Sequence, residues 1–157
     1  MKIIIDSREQ MPLEFNDKHV TEIETMGLPF GDYGCEFKNG YQVPIVFERK
    51  SLGDLFGTLS QGYERFKREI EKAIAQEYKL IFIIEGTMED VYGGIPHSRR
   101  SGKSLMKQVF TLWTKYDIIP VFCANRVEMS RFIIETYTAL GRKALEDIKK
   151  GNKRAPN

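Results

Sequence analysis

The chain has 157 residues, 41% of them hydrophobic and 29% charged, with a formal net charge of +2. That is enough chain for one domain with a proper core. No apolar run approaches the length of a membrane span, and the first residues, MKIIIDSRE, reach Asp6 and Arg8 before any signal-peptide core could form, so neither a membrane protein nor a secreted one is expected.

The charge is unevenly distributed. Residues 142–157 hold six basic residues against Glu146 and Asp147, a local +4, which leaves the preceding 141 residues at −2. An acidic body with a basic end fits a carboxylate-rich site whose attraction for nucleic acid lies at its periphery. Cys35 and Cys123 are the only cysteines. They fall inside predicted strands without metal-type spacing and read as small buried hydrophobes in a reducing compartment, with a cytoplasmic or nucleoid-associated location.

In chain order, Lys2–Ile5 predicts a central strand that ends on Asp6. Arg8 and Glu9 follow in a loop. Asp6 either assists a metal site or caps a turn, and Arg8 either grips a phosphate or pairs with Glu9 in solvent. Residues 17–28 read as a helix or an irregular connection, stopped by Pro29. Gly31 supplies the tight backbone that aims Asp32.

Asp32 heads a strand, and the Asn-Gly pair at 39–40 turns the chain so that residues 41–50 return beside it. Alternation along that returning strand puts Glu48 and Lys50 on one face and Arg49 on the other. Val43, Ile45, Val46 and Phe47 precede them, so these charges emerge from a buried strand, where they are costly unless paired or metal-bound.

Ser51 and Asp54 have the spacing of a helix capping box, which is a structural role open to Asp54. Gly57 and Gly62 predict a break near residues 58–62. The helix expected over 63–76 places Phe66, Ile70, Ala73 and Ile74 inward, with Arg65, Lys67, Arg68 and Lys72 among Glu64, Glu69 and Glu71 on the outside. Such mixed faces are usually solvated, but Arg65, near the break, could reach a phosphate.

Residues 79–85, KLIFIIE, read as a fully buried strand. Residues 86–104 read as a loop whose Arg99, Arg100 and Lys103 can follow a phosphate backbone. Its Gly-Lys-Ser at 102–104 is not a P-loop, because the glycine required five residues earlier is His97. A helix over 103–116 with Leu105, Met106, Val109, Phe110, Leu112 and Trp113 buried, a strand over 117–123 and a helix over 128–149 complete the pattern. The apolar residues of the last helix spread wider than one stripe, so it either forms a dimer interface or wedges into its own domain. This order argues for an α/β domain with a central mixed sheet.

Asp32, Glu48 and Lys50 converging at one sheet end suit metal-assisted phosphodiester hydrolysis. Mg2+ takes oxygen ligands, usually one or two protein carboxylates, with water and phosphate oxygens in its other positions. Lys50 can orient a water molecule or stabilise charge on the phosphorus centre.

Asp-Ser-Arg-Glu at 6–9, Gly-Asp-Tyr at 31–33, IVFERKSLGD at 45–54 and Ile-Ile-Glu-Gly at 83–86 resemble the nuclease domain of the XPF family of structure-specific DNA endonucleases. The family pattern is Gly-Asp, a variable gap, Glu-Arg-Lys, three residues and Asp. The resemblance implies a restriction-endonuclease-like core over residues 1–149, followed by a basic, disordered tail over 150–157. It implies catalytic roles for Asp6, Asp32, Glu48, Arg49, Lys50 and Asp54, with Asp32 and Glu48 ligating Mg2+ (or Mn2+). Branched, flap or fork DNA is the implied substrate, contacted through Arg8, Arg65, Arg99, Arg100 and Lys103, and homodimerisation through the C-terminal helices is implied as well. The family's helix-hairpin-helix modules do not follow here, so a partner protein or the second subunit is expected to recognise the branch. The alternative is a catalytically silent DNA-binding or scaffolding subunit.

Overall fold

The structure, a computed structural model, describes residues 1–150, Ile148 and Lys149 by backbone alone. Except for Lys150, the expected basic tail lies outside the described residues. Six strands, β1 (Lys2–Asp6), β2 (Glu22–Met26), β3 (Tyr33–Glu36), β4 (Ile45–Ser51), β5 (Lys79–Glu85) and β6 (Ile119–Cys123), form one sheet in the order β2-β1-β3-β4-β5-β6. β3 runs antiparallel to both β1 and β4, and the other pairings are parallel. Around the sheet lie α1 (Leu52–Leu59), α2 (Tyr63–Ala75), α3 (Met88–Gly93), α4 (Gly102–Tyr116) and α5 (Arg126–Lys149). The mixed sheet between helices is the architecture the sequence predicts.

Strand alternation divides the core in two. Val46, Leu80, Phe82 and Ile84 pack with α1, α2 and α4 on one face, while Ile3, Tyr33, Phe47, Ile81 and Ile83 pack with α5 on the other. Burial on both faces is why β5 reads as an unbroken apolar run. Glu48 and Lys50 share the parity of Val46 and therefore the α1–α2 face. Arg49 shares that of Phe47.

The predicted turn forms, with Gly40 at φ +79° donating to Phe37 O at 2.9 Å. The return is less regular than expected. Glu36 pairs with Gln42 and Cys35 O accepts from Val43 N, but Tyr33 pairs with Phe47, so the returning side carries two extra residues. The irregularity falls at Pro44, which has no N–H to give to a ladder, and β4 therefore begins at Ile45 rather than Tyr41.

Three other expectations are corrected. Residues 22–26 form a strand, β2, which escapes detection because an edge strand exposed on both faces has no apolar alternation. Within the expected loop 86–104, Thr87 and Asp90 form a capping box that starts α3. Ile74 is 48% exposed and Trp113 46%, so neither belongs to the core. The glycine of Gly-Lys-Ser is steric: a Cβ on Gly102 would lie 2.0 Å from Val91 O, so the position lets α4 start against α3.

α5 is partly wedged. Met129, Ile133 and Tyr137 are buried, and the Tyr137 hydroxyl donates to Ile45 O at 2.9 Å, whereas Leu145 is exposed.

Candidate active site

The site is built where β1, β3 and β4 meet. Gly31, at φ +74°, would place a Cβ 3.1 Å from Val46 and 3.2 Å from Phe47 O, so both the left-handed backbone and the tight approach to β4 favour glycine there. That approach lets Asp32 N donate to Phe47 O at 2.7 Å, while Asp32 O accepts from Asp6 N at 2.8 Å. Asp32 Oδ2 accepts from Arg49 N at 2.7 Å. The backbone thus pins Asp32, and its Oδ1 has no hydrogen-bond partner among the described residues.

Glu48 is buried, 7% exposed, and its Oε1 accepts from Lys50 Nζ at 2.5 Å. Burial, followed by the neighbouring Glu48 charge, pushes Asp32 up to about 7 despite opposition from Lys50 and the Arg49 N–H. Glu48 is raised by burial in the same way, with Lys50 counteracting. Burial alone would lower Lys50, but Glu48 and Asp32 outweigh it and keep the ammonium charged. Two carboxylates therefore share one cation, and burial disfavours having both of them ionised at once.

On the opposite face of β4 one guanidinium meets two carboxylates. Arg49 donates to both oxygens of Glu9, at 3.0 and 3.1 Å, and to Glu85 at 3.4 Å. Burial pushes Glu9 up, but its bonds to Arg49 outweigh that and leave it below the usual carboxylate range. Glu9 Oε2 also lies 3.4 Å from the Tyr33 hydroxyl, which accepts from Leu13 N at 3.0 Å. Neither Glu9 nor Glu85 was singled out as a site residue. The parity of Arg49 and the charge ending β5 were the available signals.

Asp6 is 1% exposed. It accepts from Arg8 N, Arg8 Nε, Arg8 Nη2 and Leu28 N at 2.8, 2.7, 3.0 and 2.6 Å. Burial pushes its pKa up, but those donors outweigh it and hold the group ionised below its ordinary value. The Asp6 carboxylate closes a turn between Arg8 and Leu28. Arg8 pairs with Asp6 rather than Glu9, and 69% of its side chain stays exposed.

Asp54 is exposed in the first turn of α1. Its N–H donates to Ser51 Oγ at 3.2 Å and its carboxylate accepts from that hydroxyl at 2.7 Å, while its charge still acts on Lys50. Arg65, Arg99 and Lys103 are exposed. Arg100 donates to Leu59 O and to Ser104 O, so this cation ties a loop to the end of α1 instead of facing solvent. Sequence reasoning placed Glu69 on a solvated face, yet its charge acts on both Glu48 and Arg8.

The family model for the ERCC4 domain matches residues 5–136. Two solved structures share the fold. XPF from Aeropyrum pernix is 21% identical with a TM-score of 0.64, covering 96% of this chain and 69% of its own. XPF from Aeropyrum pernix in complex with DNA is 23% identical with a TM-score of 0.63, covering 90% of this chain and 65% of its own. No curated protein matches the sequence. The family match spans most of the chain and the solved structures share its fold, so the chain belongs to the ERCC4 domain family, with the fold of the XPF nuclease domain.

Proposed function

We propose that this chain is a divalent-metal-dependent endonuclease that hydrolyses phosphodiester bonds in branched, flap or fork DNA. The Asp32–Glu48–Lys50 cluster carries this reading, as two carboxylates raised by burial, Asp32 further by the Glu48 charge, with the Lys50 ammonium bonded to Glu48 and acting on both.

The donor set fits Mg2+ (or Mn2+). No three His, Cys, Asp or Glu side chains among the described residues form a metal cage, and such hard ions need only one or two carboxylates when water and phosphate fill the remaining positions. Asp32 Oδ1 and Glu48 would hold the ion. When bound, it would neutralise phosphate charge and acidify a water molecule.

The chain's own residues do the rest. Lys50, kept protonated, stabilises charge on the phosphorus centre and orients the attacking water. Arg49 is a positioning residue: Glu9 and Glu85 grip its side chain while its N–H holds Asp32. Asp6 fixes the turn behind Asp32. Asp54 adds negative charge beside Lys50, and Arg8, Arg65, Arg99 and Lys103 supply phosphate contacts at the rim.

The reading extends to a nuclease domain over residues 1–149 and to a homodimer through α5, whose Leu140 and Ala144 line a cleft with Phe37 and Tyr41. No helix of the described residues is long and apolar enough to cross a membrane, which is compatible with an intracellular location.

The test is a panel of labelled duplex, flap, fork and four-way substrates with Mg2+, Mn2+ or EDTA. Metal-dependent cleavage of branched substrates is expected. Binding without cleavage under every condition would instead establish the silent scaffolding subunit.

A further inference from the structure

We propose that the outer edge of α2, carrying Arg65, Arg68 and Lys72, is a track for the phosphate backbone of one DNA strand running away from the Asp32–Glu48 cluster. This deepens the endonuclease reading and rests on it. At 3.6 residues per turn, positions 65, 68 and 72 fall within about 60° of one another around the helix. All three are exposed, while Phe66, Ile70 and Ala73 are buried toward the sheet.

The position of this edge follows from packing. The Phe66 ring lies 5.2 Å from that of Phe82, and Phe82 is the register partner of Glu48, so α2 covers the same sheet face as Glu48 and lies level with it. The edge therefore lies on the same side of the sheet as Glu48, flanked by Glu69, which is near enough to Glu48 and to the exposed Arg8 for its charge to act on both.

The cations on this edge are not held in ion pairs with their neighbours on the helix. Lys67 and Glu71 pair at 3.8 Å on a different side of the helix, and among the described residues no carboxylate lies within ion-pair distance of Arg65, Arg68 or Lys72. From Arg65 to Lys72 the helix rises about 10.5 Å, and long Arg and Lys side chains spread over that length can reach successive phosphates of one strand.

The test is the salt dependence of fork-DNA binding in EDTA, where no cleavage occurs. The R65A/R68A/K72A variant is compared with wild type and with K18A/K38A/K115A, which removes as much charge from exposed lysines elsewhere. Each phosphate contact contributes about 0.9 to the slope of log affinity against log salt, so the α2 variant is expected to lose about 2–3 from it and the control variant well under 1. An unchanged slope in the α2 variant, or an equal loss in the control, overturns the track. Wild-type cleavage is measured in parallel with Mg2+. Cleavage together with an unchanged slope refutes the track alone, whereas absent cleavage refutes the endonuclease reading and leaves the slope to decide the track.

Discussion

Asp6 and Asp32 stand at the ends of neighbouring antiparallel strands and are joined by a backbone hydrogen bond of 2.8 Å, yet their surroundings push them in opposite directions. Four N–H donors converge on Asp6 and hold it ionised below the usual range. Asp32 receives one donor, faces Glu48 and is pushed up to about 7. A carboxylate saturated with donors is part of the fold. One left crowded beside a second carboxylate is poised for an external cation, and that difference separates scaffold from site more sharply than residue type does.

The largest effect that could break this comparison is catalytic. Asp32→Ala or Glu48→Ala is expected to reduce Mg2+-dependent cleavage by at least about a hundredfold while DNA binding stays within a few-fold. Equal nicking by wild type and both variants would remove the site assigned here.

Asp6→Ala should act on stability instead. It orphans the Leu28 and Arg8 N–H groups, whereas the exposed Arg8 guanidinium is screened and adds little. A loss of about 2 kcal/mol, or a Tm lower by about 4–8 °C, is expected in a metal-free melt. If Asp6→Ala melts like wild type but has lost metal binding, the two aspartates have been assigned the wrong way round.

A pH series sharpens the contrast. Asp32 must shed its proton to ligate, so metal affinity should rise by at most about tenfold per pH unit below about 7 and level off above. Without metal, the sign reverses for stability. A carboxyl raised in the folded state binds extra protons between its unfolded value, about 4, and its folded value, about 7, so native stability falls as pH climbs through that window. Asp32→Asn should remove that fall, melting above wild type at pH 8 and with it at pH 4. Parallel melting profiles across this range would show that Asp32 is not crowded.

Much of this was legible in sequence where a buried strand or a tight turn forced the residue choice. The β5 run, the Asn-Gly turn and the shared parity of Glu48 and Lys50 needed no tertiary information. Misreadings arose where tertiary contacts override local pattern: β2 has no buried face to print a period, and Trp113 sits on an apolar helix that the fold leaves half exposed. The partners of Asp6 and Arg49 were illegible for a related reason. Leu28, Glu9 and Glu85 are 22, 40 and 36 residues distant along the chain, and no spacing rule links them.

Arg99 and Arg100 provide the finest form of the same contrast, between a cation turned to solvent and one taken up by the fold. They are adjacent in sequence and alike in chemistry, and both read as phosphate contacts. Arg99 is exposed, whereas Arg100 donates to Leu59 O, a carbonyl in the last turn of α1 that has no helical donor to receive. Arg99→Ala should therefore lower the salt slope of DNA binding by about 0.9 and weaken binding a few-fold, with the melt unchanged. Arg100→Ala should leave the slope alone and cost about 1 kcal/mol of stability, since the unpaired carbonyl regains only water. A slope change in Arg100→Ala matching that of Arg99→Ala would mean that the loop releases its anchor to meet DNA, and the boundary between scaffold and interface would then move to the start of α4.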